Sequence, residues 1–183
     1  MFPCGTRFRG GCDDRWMQNI LDGSLVEVSA YRGEDATATL TVFLDAITQI
    51  AAADYSPAQI AAWARPEQRT VPEWHRAMQG RNSYLALLNK QIVGFSDVNS
   101  DGHIDMMFVS PRHSRRGVAS ALLSRLHVHA QAQGIRGLSA DVRITARPFF
   151  ERHGFTVVTR QNPITGGVQM TNFRMTKVLH STR

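Results

Sequence analysis

The sequence has little cysteine, a deficit of acidic residues and no long apolar run. Its 183 residues include two cysteines, Cys4 and Cys12, both in a glycine-rich start. Their spacing matches no zinc motif, and two thiols do not make the disulfide framework of a small secreted domain. They read as free thiols in a reducing cytosol. Asp and Glu number 15 against 21 Lys and Arg, for a net charge of +6. No acidic platform for a polycationic ligand stands out. No apolar run approaches the ~20 residues that a bilayer crossing needs. The start, MFPCGTRFRGGCDDRW, lacks the apolar stretch of a secretory signal. A membrane role is therefore not expected. The basic residues form no block of five or more, and no zinc-finger or RNP sequence accompanies them, so nucleic acid is not the expected partner. Nothing implies a metal. Repeats and low-complexity tracts are also missing.

The composition is that of an ordinary globular chain, 43% hydrophobic and 20% charged. The length suits one domain. Residues 1–23 carry no period and read as an extension; residues 24–183 read as the domain. Leu25 to Tyr31 alternates like a strand. A helix follows from Glu34 or Asp35 to about Ala53. Ser56 before Pro57 starts another, over Ala58 to Ala64, and a short helix covers Pro72 to Met78. Ser83–Leu88 and Gln91–Val98 form a hairpin about Asn89-Lys90. The turn Asn99-Ser100-Asp101-Gly102 leads into a strand from His103 to Val109. Arg115 to Gln133 is a helix, with Val118, Leu122, Leu126 and Ala130 on one face and Gly134 as its stop. Leu138–Val142 is a strand, Thr145–His153 a short helix, and Phe155–Arg160 and Val168–Val178 are the last strands. The class is α/β (α+β), with helices on both faces of one sheet.

The informative stretch is Phe108-Val109-Ser110-Pro111-Arg112-His113-Ser114-Arg115-Arg116-Gly117-Val118-Ala119-Ser120. A strand runs into a tight loop and then a helix. Free N–H groups and the positive end of the dipole make such a helix start an anion site, and Gly117 lets the backbone come close. Taken alone, one glycine in a strand–loop–helix is a weak signal.

The run V-x-P-x-x-S-R-R-G-V-A-x-x-L-L resembles the acetyl-CoA signature of the GNAT superfamily of N-acetyltransferases. A second segment, Ala146-Arg147-Pro148-Phe149-Phe150-Glu151-Arg152-His153-Gly154-Phe155, is similar to the family's A-x-x-F-Y-E-K-x-G-F. The overall tone is close to a bacterial subgroup of small GNAT proteins. The resemblance covers about Ser83 to Leu179, weakens back to Leu25 and is absent before it. It implies a mixed, mainly antiparallel sheet with a V-shaped splay between its fourth and fifth strands, at His103–Val109 and Leu138–Val142. It implies that acetyl-CoA places its pyrophosphate on the amides from Ser114 to Ala119, with Arg115, Arg116, Val118 and Ser120 around them. The pantetheine arm would pair with Phe108 and Val109, and the Val109 amide would hold the oxyanion. Three positions depart from the family. Ser114 replaces Gln or Arg. Phe150 replaces a Tyr that commonly protonates the departing thiolate. Arg143 replaces an Asn or Ser that touches pantetheine.

The family's base is usually a carboxylate on the strand before the loop. His103, Asp105, Met107 and Val109 alternate onto one side of that strand. Asp105 is the first candidate, as base or water-positioner, and would gain basicity from partial burial; otherwise it satisfies a turn or pairs with an arginine. His103 is the second, though it borders a turn and is equally read as exposed. The acceptor side would draw on Asp54, Tyr55, Trp63, Trp74, Tyr84 and Asn172, for each aromatic of which core packing is the competing reading. The expected activity is transfer of an acetyl group from acetyl-CoA to a primary amine, with a small molecule favoured as acceptor. A non-catalytic acyl-CoA sensor is the alternative that Phe150 motivates. A homodimer is compatible with the sequence.

Overall fold

The computed structural model describes residues 19–21 and 24–179. The two cysteines, and most of the stretch read as an extension, lie outside the described residues. Residues 19–21 of that stretch form β1 (Asn19–Leu21), antiparallel to β2 (Ser24–Ala30).

Three helices follow. The first, α1 (Ala36–Asp45), buries Ala36, Thr39, Leu40 and Phe43 at three- and four-residue spacing. It runs on through a π turn at Ala46–Ile50 and a 3-10 turn at Ala51–Ala53. One sequence expectation needs correcting here. The stretch Gly33–Ala53 is, by length and composition, apolar enough to cross a bilayer. It packs instead against α3 (Val71–Gln79) and the sheet, with Ile47 and Phe43 in the core. Between them lies α2 (Pro57–Ala64). A capping box starts it: Gln59 N–H donates to Ser56 Oγ at 3.3 Å and Ser56 N–H donates to Gln59 Oε1 at 3.0 Å.

The hairpin of β3 (Asn82–Leu88) and β4 (Gln91–Val98) turns at Asn89 and Lys90, both at positive φ. The next strand is interrupted. Its first part, β5 (His103–Ile104), runs parallel to β7 (Gly137–Arg143). Its second part, β6 (Met107–Val109), runs antiparallel to β4. Asp105 and Met106, between them, donate their N–H groups to Asp97 Oδ1 at 3.0 and 2.9 Å. A buried carboxylate on β4 therefore takes the two amides at the break.

The break divides the strands into two sheets. One has the order β1-β2-β3-β4-β6, the other β5-β7-β11-β8, with β8 (Thr156–Gln161) at the edge and β11 (Asn172–Val178) inside. A small pair, β9 (Ile164–Thr165) and β10 (Val168–Gln169), precedes β11, so the expected strand Val168–Val178 is two pieces. The fold is the mixed, mainly antiparallel α/β arrangement expected, with the splay between β6 and β7.

The long helix α4 (Val118–Ala132) lies across both sheets and buries the expected face, Val118, Leu122, Leu126 and Ala130. It comes so close to β4 at Gly94 that a Cβ there would lie 2.9 Å from Val118 Cγ1 and 3.0 Å from the Phe108 carbonyl oxygen. On the opposite face, α1 and α3 cover Leu85 and Phe95. The last helix, α5 (Arg147–Arg152), packs beside β7.

Candidate active site

A cleft of about 1080 Å³ opens where the two sheets separate. Its floor is β6 and β7, and it has two ends of different construction.

The first end is the start of α4. The helix begins at Val118, three residues later than the sequence period suggested. Arg115 at φ 61° and Gly117 at φ 77° curl the preceding loop. The first bond within the helix runs from the Ala121 N–H to the Gly117 carbonyl at 2.9 Å. The N–H groups of Val118, Ala119 and Ser120 are thus left without helical acceptors, and all three residues line the cleft with Ser114, Arg115 and Gly117. Arg116 is exposed and is not in the cleft wall. The Ser120 hydroxyl meets His153 Nε2 at 3.1 Å, while His153 Nδ1 meets the Phe149 carbonyl at 2.9 Å. This ties the first turn of α4 to α5. Phe150 lines the cleft beside it, 4% exposed and edge-on to Phe155.

The middle is the free edge of β6. Ser110 N–H donates to the Val93 carbonyl at 2.8 Å, and Asp97 N–H to the Met106 carbonyl at 3.1 Å. In an antiparallel ladder these contacts alternate along the strand. The backbone groups of Phe108 therefore face β4, and those of Met107 and Val109 face the cleft. The sequence expected the Phe108 and Val109 backbones to act together; the register turns Phe108 away. Its ring instead stacks on Phe95, with centroids 5.6 Å apart, and meets Phe43 and Trp63.

The second end is made of side chains. Phe43, Trp63, Trp74 and Phe108 line it, with Arg69, Arg81, Arg143 and Asn172. The Arg69 guanidinium lies 4.4 Å from the Phe43 ring centroid, and that of Arg143 lies 4.7 Å from the Trp63 centroid. Burial pushes the pKa of both arginines below the ordinary value. Asn172 is 6% exposed and stands directly opposite Arg143 in the β11–β7 ladder.

Asp105 lines the cleft, but more than half of its side chain is exposed and it is ion-paired with Arg81. The partial burial expected of it is not found. Arg81 also reaches Asp97 Oδ2 at 3.0 Å. Burial acts to lower the Arg81 pKa, but its bonds with Asp97 and Asp105 outweigh this and hold it up. Asp97 is 1% exposed, and burial pushes its pKa up against the bonds from Met106, Arg81 and Asp105.

Four expected positions fall elsewhere. His103 is not in the cleft wall: its Nδ1 lies 3.0 Å from Ser139 Oγ, because the break at Asp105-Met106 ends the alternation that would have aligned it. Tyr84 alternates with Leu85 and so points to the α4 side, where its hydroxyl lies 2.8 Å from His129 Nδ1. Tyr55 is buried behind Trp63. Its hydroxyl donates to the Thr171 carbonyl at 2.7 Å and accepts from Ile144 N–H at 3.1 Å. Asp54 likewise holds the Thr145 hydroxyl at 2.5 Å. Sequence reasoning missed Arg81, Asp97, Arg69 and Phe43. Only Asp97 left a signal, as an acid inside the apolar run of β4.

Comparison with known proteins agrees with this fold. A family model described as an acetyltransferase (GNAT) domain matches residues 51–177. The uncharacterized N-acetyltransferase YafP of Escherichia coli (strain K12) is 37% identical over 150 residues, which is 82% of this chain and 94% of that protein. A solved structure from Rhodopseudomonas palustris, described as a GCN5-related N-acetyltransferase and as a class-II aminotransferase, matches with a TM-score of 0.79. It is 32% identical, over 83% of this chain and 94% of its own. The PaiA N-acetyltransferase of Thermoplasma acidophilum, solved in complex with coenzyme A, shares the fold with a TM-score of 0.67. It is 18% identical and covers 84% of this chain and 99% of its own.

Proposed function

This chain belongs to the GNAT acetyltransferase family, and from that premise we propose that it transfers the acetyl group of acetyl-CoA to a small-molecule primary amine, directly, in a ternary complex. The observation that carries the reading is the pairing of two backbone features in one cleft. The free amides of Val118, Ala119 and Ser120 suit a pyrophosphate, and the free edge of β6 suits an amide-bearing arm. A protein of the same fold, PaiA, was solved in complex with coenzyme A, which supports coenzyme A as the kind of ligand.

In the reaction the amine nitrogen attacks the thioester carbonyl carbon. A C–N bond forms, the C–S bond breaks, and the products are the acetylamide and free CoA thiol. The nitrogen gives up one proton, and the departing thiolate takes one up. The register of β6 turns the Val109 N–H to the cleft, which supports it as the donor to the oxyanion. Asp105 is the carboxylate assigned to the amine proton, directly or through water. Its pairing with Arg81 fixes it beside the β6 edge. Phe150 offers no proton, so the thiolate takes its own from water. Proximity of the two substrates does much of the rest.

The test is calorimetric titration with acetyl-CoA, with G117E as control, followed by thiol release in the presence of pooled amines. Micromolar binding lost in the control, together with thiol release with a pool, is the expected result. Absence of binding overturns the proposal. The missing hydroxyl at Phe150 supports a second reading, a non-catalytic acyl-CoA sensor. That reading requires binding without turnover for every pool.

A further inference from the structure

The charges that line the cleft are not balanced against one another. Three carboxylates line it, and each is taken. Asp105 is paired with Arg81. Asp141 accepts two bonds from Arg174, at 2.7 and 2.9 Å. Glu73 is exposed on the first turn of α3 and accepts from the Thr70 hydroxyl at 2.8 Å. Arg115 and Arg152 belong to the α4 end. At the aromatic end, Arg69 and Arg143 remain. Among the described residues, neither has a carboxylate within ion-pair distance.

Both guanidiniums are held by other means. Arg69 Nε donates to the Ala64 carbonyl at 2.8 Å and Nη2 to the Trp63 carbonyl at 3.2 Å, with the Phe43 ring against its face. Arg143 lies on the Trp63 ring and is hydrogen-bonded to Tyr55. Its Nη1 is buried without an acceptor, and Asn172 Oδ1, on the adjacent strand, is buried without a donor. Cations withdrawn from water without a counter-ion are costly, and buried polar atoms are nearly always satisfied. Both residues line the cleft, so a ligand bound there is the partner that these two buried atoms would take. The donor substrate supplies no anion here: its phosphates belong at the α4 end, and its arm is neutral.

We propose that the acceptor is an amino carboxylate with an apolar or aromatic body. Its carboxylate is taken by Arg143 and Arg69, an N–H is accepted by Asn172 Oδ1, and its body rests on Trp63, Phe43 and Phe108. This rests on the transferase reading above and assigns Arg143 to the acceptor rather than to pantetheine.

The experiment separates the two claims. Acetyl-CoA is first titrated into wild type and R143Q by calorimetry. Thiol release is then followed with phenylalanine, tryptophan, leucine and 4-aminobenzoate, each beside its primary amide. Loss of one charge-assisted bond corresponds to about 10- to 100-fold. We expect at least one carboxylate to exceed its amide by that factor in kcat/KM. R143Q should draw the ratio towards one while leaving acetyl-CoA affinity within about twofold. Failure of wild type to bind acetyl-CoA sinks the transferase reading. Binding with no carboxylate acetylated, with amides equal to carboxylates, or with R143Q weakening acetyl-CoA and leaving the ratio unchanged, overturns the acceptor assignment alone.

Discussion

At the α4 end of the cleft the groups offered to a ligand are backbone amides; at the aromatic end they are side chains. The first end needs only a loop that curls and a helix that starts, and small residues there (Gly117, Ala119, Ser120) keep out of the way. Ser114 in place of the usual Gln or Arg leaves those amides where the fold puts them. The second end is assembled from α1, α2, β6, β7 and β11, between Phe43 and Asn172. Its half-buried side chains, Trp63, Arg69 and Arg143, can change at less cost to the fold than Phe43 and Trp74, which are also core. The two ends thus separate what the backbone fixes from what the side chains decide.

Substitutions can break or sharpen that division. The largest effect is expected at Gly117. Glutamate there forces an L side chain to φ 77° and sets a negative charge among the free amides. Acetyl-CoA affinity should fall by more than about 100-fold in calorimetry, roughly the cost of two unfavourable charge contacts. A melting temperature near wild type would show that the loss is local.

Asp97→Ala attacks the junction of the two ends. It leaves the Asp105 and Met106 amides without their acceptor and takes one of the two carboxylates from Arg81. Urea unfolding should show a loss of about 2–3 kcal/mol. The pH dependence of the same site has a definite sign. The folded pKa of Asp97 lies above 3.8, chiefly through burial, so the native state binds its proton more tightly than the unfolded chain does. Its contribution to stability therefore falls as pH rises from 3.8 through the folded value. Thermal melts of D97N against wild type between about pH 4 and 7 should move in favour of the variant as pH rises.

Trp63→Ala removes the platform under Arg143. The acceptor KM should rise about 3- to 10-fold, the size of a cation–π contact, with acetyl-CoA affinity unchanged in calorimetry. An equal loss at both ends would mean that they are not separable. The smallest effect is expected for Phe150→Tyr. Thiolate is a fair leaving group, so kcat should change by less than about 3-fold; a gain of 100-fold would place proton delivery in the limiting step.

The same division explains what could be read from the sequence. The segment proposed to bind the anion is contiguous, and its spacing is set by backbone geometry, so the turn at Gly117 was legible, although α4 begins three residues later than read. The helical face Val118, Leu122, Leu126 and Ala130 was legible for the same reason, a local period. The break at Asp105-Met106 was not. It depends on Asp97, eight or nine residues earlier, accepting bonds across the ladder, and with it went the placement of His103. Tyr84 and Tyr55 failed differently. An aromatic residue fits a core or a cleft equally well, and only the strand parity of Tyr84 and the buried bonds of the Tyr55 hydroxyl decide. Arg69 and Arg81 carry no local signal at all, since their meaning lies in partners distant in the chain.

The interrupted strand also bears on aggregation. An unpaired strand edge is ordinarily a template on which another chain can add itself. In this protein the exposed edge of β6 is three residues long and recessed between two sheets, with α4 and the aromatic wall at its ends. A polypeptide with alternating side chains finds no run of ladder there to extend. A slender, unbranched arm bearing its own amides finds enough. Recessing the edge thus works as a width filter, leaving a docking rail for a thin ligand without offering a seed for fibrils.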